Sequence, residues 1–133
     1  MDTILDKLQK EASKQGYQFN KAEFNEFSWI KADYCFYLSG YKPSYDIRDD
    51  FGNKYTHDKY KIVSDICTKA LGKSIEIHTP NMDLTGDSYW GTSYERWQVG
   101  DIKILNYMYG HPRSGFFNTW LYIHKGKLDF RID

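Results

Sequence analysis

The chain has 133 residues, enough for one domain that buries roughly two thirds of the surface its unfolded form would expose. Its 18 Lys and Arg balance 18 Asp and Glu, which excludes a protein held on nucleic acid by bulk charge. No apolar run approaches the roughly 18 residues of a membrane-spanning helix, no basic-then-apolar leader opens the chain, and two distant cysteines, Cys35 and Cys67, make no disulfide framework. The expected location is therefore the cytoplasm, and the expected core needs neither metal nor cofactor.

Aromatic residues make up 18% of the chain, with Tyr 12, Phe 8 and Trp 4. Such side chains fill the core and cross-strand pairs of small sheet proteins. They also supply recognition surfaces, because they bury large area at low entropy cost and the Tyr hydroxyl tolerates a wet edge.

Asp2 or Thr3 caps a first helix in which Ile4, Leu5, Leu8 and Ala12 recur at helical spacing and Gly16 ends the run. Ala22 to Trp29 reads as a second, short helix, although its aromatics fit neither helical nor strand period. Tyr34 to Leu38 is dense in aromatics and precedes Ser39-Gly40, which marks a strand. Tyr41 to Tyr60 is polar and aromatic, is broken by Pro43, Gly52 and Asn53, and reads as a long loop. Its Asp46, Asp49 and Asp50 lack the alternation and central Gly of a calcium loop, so no metal is expected.

From about Asp58 to Leu71, Ile62, Val63, Ile66, Cys67 and Ala70 form the best helical stripe in the chain, closed by Gly72. Lys73 to His78 alternates Ile75 and Ile77 with polar neighbours, a short strand with one wet face. Thr79 to Tyr94 has no Lys or Arg and carries Asp83 and Asp87 among Tyr89, Trp90 and Tyr94, a second acidic and aromatic loop. The last third then predicts a three-stranded meander: Trp97 to Tyr109, Phe116 to His124 and Lys127 to Ile132, with Gly110 to Gly115 and Lys125-Gly126 as connections. The fold class expected is α+β, an antiparallel sheet with a C-terminal meander and two helices packed on one face.

Chemical motifs are sparse. His57, His78, His111 and His124 lack zinc-site spacing, and the serine-hydrolase elbow, the phosphate-binding loop and the dinucleotide fingerprint are missing. The one enzymatic pattern is Asp101-Ile102-Lys103, an acid-x-Lys triplet. With Glu76 or Asp83 as a second carboxylate it would suit a magnesium-dependent nuclease, the carboxylates holding the ion and the lysine helping to activate water.

The order of a helix ending in Gly, a short strand, a loop, then Trp97-Gln98-Val99-Gly100-Asp101-Ile102-Lys103-Ile104 and a strand ending Trp120-Leu121-Tyr122-Ile123 resembles the layout of small bacterial immunity proteins. The resemblance spans roughly residues 58 to 124. It implies a non-enzymatic protein that binds and neutralises a toxin domain, often a nuclease. The partner-binding residues expected from the chain itself are Tyr45, Asp46, Asp49 and Asp50 in one loop and Asp83, Asp87, Tyr89 and Trp90 in the other. They combine aromatic anchors with carboxylates that steer a basic partner. A phage or mobile-element protein that binds host machinery is the same expectation with another partner; no catalytic residue, membrane or direct nucleic-acid contact is expected.

Overall fold

The computed structural model describes residues 2–25, 27–40, 53–78, 91–111 and 116–129. Among the described residues the elements run in the order α1 (Asp2–Lys14), β1 (Gln18–Lys21), β2 (Tyr34–Ser39), α2 (Asn53–Leu71), β3 (Glu76–His78), β4 (Gly91–Val99), β5 (Ile102–His111) and β6 (Phe116–Lys125). The strands form one antiparallel sheet in the order β1-β2-β6-β5-β4-β3, in which β4, β5 and β6 are the meander. This is the α+β class expected from the sequence.

Both helices cover one face. Helix α1 turns Ile4, Leu8 and Ala12 inward and α2 turns Val63, Ile66 and Cys67 inward, onto Phe19, Phe36, Leu38, Trp97, Ile104, Leu121 and Ile123. Ile66 is fully buried there; burying one such side chain contributes about 1.5–3 kcal/mol. The indole N–H of Trp97 donates to the carbonyl of Gly72 at 2.9 Å, which fixes the end of α2 over β4. The other face carries Tyr94, Leu105, Tyr107 and Tyr122 and is covered by Phe27, Ile30 and Leu128.

Three expectations are corrected. The stretch 22–29 is not a helix: its described residues form bends and turns, and Phe27 drops onto Tyr107 with ring centroids 5.2 Å apart. Just before it lies a strand the sequence reading passed over, β1, which pairs Phe19 with Leu38. The loop expected to reach Tyr60 gives way to helix at Asn53.

The meander is also shifted by one strand. The expected single strand from Trp97 to Tyr109 is two, because Gly100-Asp101 is a two-residue hairpin loop between the paired Val99 and Ile102. Gly100 stands first in that loop at φ 62°, the place where such hairpins need glycine. The expected strand at 127–132 does not form over its described part, Lys127–Asp129. Strand β6 already has β5 on one side and β2 on the other, so no edge is open to it. Leu128 instead crosses onto the face of Leu105 and Tyr122.

One glycine is fixed by its surroundings. Gly40 has φ 89°, and a Cβ there would lie 2.7 Å from the Gly16 carbonyl oxygen, so the exit from β2 and the exit from α1 are packed backbone to backbone.

Candidate functional site

The eight residues expected to touch a partner, Tyr45, Asp46, Asp49, Asp50, Asp83, Asp87, Tyr89 and Trp90, lie outside the described residues, but their points of attachment are defined. The register sets Gly91 against Gly110 and His111 against Phe116, so β4 and β6 begin where β5 ends. Strand β2 pairs Tyr34 with Ile123 and Phe36 with Leu121 and so ends at that same end; β3, with His78 against Tyr94, does too. Helix α2 starts there, since Tyr60 sits beside Asn106 while Gly72 sits beside Trp97, farther down the strands. Segments 41–52 and 79–90 are thus both attached at one end of the sheet.

Beneath that end the helix-covered face changes from apolar to polar. Ser93, Glu95, Asn106 and Thr119 are all buried at inward positions of β4, β5 and β6, with Glu95 directly opposite Asn106 and Met108 opposite both Ser93 and Thr119. The Ser64 hydroxyl of α2 donates to Glu95 Oε1, and Asn106 Nδ2 donates to the Tyr60 carbonyl at 3.1 Å. Asn106 Oδ1 and Thr119 Oγ1 are buried with no hydrogen-bond partner among the described residues, and leaving such a group unpaired costs about 1–3 kcal/mol. Burial lowers the pKa of Lys59, one residue before Tyr60. Burial also pushes the Cys67 thiol up, with Glu95 adding to the effect, so Cys67 is a protonated core residue and a poor nucleophile. The sequence reading missed this layer. Its signal was available, because Ser93, Glu95 and Asn106 hold the same strand parity as Trp97 and Ile104.

On the opposite face, Arg96 donates through Nε to Glu76 Oε1 at 2.6 Å and pairs with it through Nη2 at 2.5 Å, while the Tyr94 hydroxyl donates to Oε2 at 2.8 Å. The Tyr94 hydrogen bond, then those of Arg96 and its charge, hold the Glu76 carboxyl below its usual range despite some desolvation. Burial and the same carboxylate push Tyr94 up to about 12. His78 stacks on the Tyr94 ring at 5.3 Å.

Farther along this face a cavity of about 380 Å³ is lined by Asn25, Ser28, Ile30, Lys31, Ala32, Asp33 and His124. The Asp33 backbone N–H donates to His124 Nδ1 at 3.1 Å. The Asp33 carboxylate is taken by the Lys125 backbone N–H at 3.0 Å.

The acid-x-Lys triplet does not lie on one strand. Asp101 is exposed in the hairpin loop, with its carbonyl accepting from the Gly126 N–H at 2.8 Å, while Lys103 lies within β5 between Gln98 and His124. Glu76, one proposed second carboxylate, is held by Arg96 and Tyr94, and Asp83, the other, lies outside the described residues. Among the described residues no group of three or more His, Cys, Asp or Glu is placed to hold a metal ion. No helix among them is long and apolar enough to cross a membrane.

No protein-family model, curated protein or solved structure matches this chain.

Proposed function

We propose that the protein is a non-enzymatic binding protein of the bacterial cytoplasm, an immunity-type inhibitor that occludes a toxin domain. The observation that carries this reading is the attachment of both acidic and aromatic segments, 41–52 and 79–90, at one end of the sheet. Each segment alone holds a few carboxylates and aromatics; together they carry Asp46, Asp49, Asp50, Asp83 and Asp87 with Tyr45, Tyr89 and Trp90. Carboxylates grouped in this way attract a basic groove from a distance, and aromatic anchors supply the area that holds it after contact. A nuclease active site is a groove of that sign, because it must receive phosphates.

The magnesium-nuclease alternative draws less support, since the triplet on which it rested is divided between a turn and a strand. The test is whether a toxin-domain reading frame stands immediately upstream of this gene, followed by co-expression of the two; absence of such a frame would count against the reading. Restored growth of cells carrying the toxin, together with co-elution of the two purified proteins, is the expected result. Unrelieved toxicity with no co-elution would overturn the reading.

A further inference from the structure

The two edges of the sheet differ in kind. At β1 the Gln9 side chain of α1 meets Phe19 as another strand would: Nε2 donates to the Phe19 carbonyl at 2.6 Å and Oε1 accepts the Phe19 N–H at 3.0 Å. That edge is blocked, a common protection against unwanted strand pairing. At β3, the last strand in the order, no further strand pairs with the outer edge among the described residues. The apolar side chains beside it stand in water, with Ile77 64% exposed, Ile75 55% and Val99 40%. Strand alternation puts Ile77 on the helix-covered face with Glu95, and Val99 shares the parity of Glu95 along β4, while Ile75 stands just before β3.

We propose that this edge receives a second copy of the chain, β3 against β3, antiparallel about a two-fold axis at Ile77. Such an axis must pass through a residue position, because a shift by one would set opposite faces against each other. Within β3 a centre at Ile77 places Ile77 against its own copy and Glu76 against His78 of the other. A centre at Glu76 would place carboxylate against carboxylate, which is unfavourable for directly opposed residues. The equal numbers of Lys plus Arg and Asp plus Glu, 18 each, remove any bulk repulsion between copies. A three-residue ladder buries little area, so the association falls in the weak class below about 1,200 Å². Antiparallel addition keeps the helices of both copies on one side of the joined sheet. It also turns their loop-bearing ends in opposite directions, so the dimer presents two partner surfaces.

Sedimentation equilibrium on the full chain between about 1 µM and about 1 mM tests this, a range that brackets weak association. A monomer–dimer equilibrium is expected, with Ile77→Lys weakening it at least tenfold at an unchanged melting temperature. On mild oxidation Ile77→Cys is expected to cross-link across the axis, and Ile75→Cys, which does not face itself, is not. A monomer at every concentration, a dimer indifferent to Ile77→Lys, or cross-linking of Ile75→Cys in place of Ile77→Cys would each overturn the proposal.

Discussion

The Tyr122 hydroxyl donates to Asn25 Oδ1 at 2.7 Å, and the same oxygen accepts the Phe27 backbone N–H at 3.1 Å while Asn25 Nδ2 donates to the Ile30 carbonyl at 2.6 Å. One asparagine therefore folds the chain locally and ties it to the middle of the sheet. Tyr122 is fully buried, so Tyr122→Phe removes a bond without opening a cavity. The expected loss in urea denaturation is about 1–2 kcal/mol. An unchanged midpoint would mean that the strap over this face is held by ring packing alone.

Ile66 of α2 is fully buried in the core that α1, α2 and the sheet share. Ile66→Asp places an unpaired charge there, at a cost of several kcal/mol, comparable with the whole stability of a small domain. Circular dichroism should show an unfolded or aggregated protein. A soluble Ile66→Asp variant with a cooperative melt would contradict the packing of α2.

The Glu76 cluster gives β3 a pH dependence. Its folded pKa is lowered from the ordinary 4.5 first by the Tyr94 hydrogen bond and then by Arg96, so its contribution is complete above that value and is lost as pH falls through the folded pKa. Tyr94 works at the other limit: its folded pKa is raised from 10.0 to about 12, so its contribution is complete below 10.0 and declines as pH rises toward 12. Melting curves of the wild type and Glu76→Gln should therefore converge below pH 4.5, and those of the wild type and Tyr94→Phe above pH 10. Parallel curves across the whole range would show that neither group is coupled to folding.

Magnesium-dependent cleavage distinguishes enzyme from binder. Purified protein with magnesium and DNA or RNA is expected to cut neither, and Asp101→Asn, altering an exposed turn residue, should leave stability within about 0.5 kcal/mol of wild type. Metal-dependent cutting that disappears in Asp101→Asn would return Asp101 and Lys103 to a catalytic role.

The parts of the fold that were legible are those where one periodicity dominates. Ile4, Leu8 and Ala12 in α1, and Val63, Ile66 and Cys67 in α2, lie on the inward stripe that their spacing announces. Residues 22–29 were misread because Phe27 and Ile30 are buried by a local turn that Asn25 organises, and no period describes a turn. The missing break at Gly100-Asp101 has a similar cause: a two-residue loop interrupts the strand run without interrupting its composition. The polar layer of Ser93, Glu95, Asn106 and Thr119 is hidden in the sequence reading because Ser93 falls in the stretch read as a loop to Tyr94 and Glu95 lies before the strand expected from Trp97, whereas β4 begins at Gly91. Only the register, which sets Glu95 beside Asn106 under α2, shows that these face inward.

Segments 41–52 and 79–90, both attached at one end of the sheet, are proposed to receive a basic partner. The most direct test of this claim is the binding kinetics of the Asp49→Asn, Asp50→Asn, Asp87→Asn triple variant against the partner protein that co-elutes with the wild type, measured across a range of salt concentrations. Loss of three steering charges should slow association and flatten its salt dependence while leaving the melting temperature nearly unchanged. Association kinetics identical to wild type at every salt concentration would contradict the claim and move the interface elsewhere, to the basic residues Lys103, Arg113 and Lys125 and hence to an acidic partner.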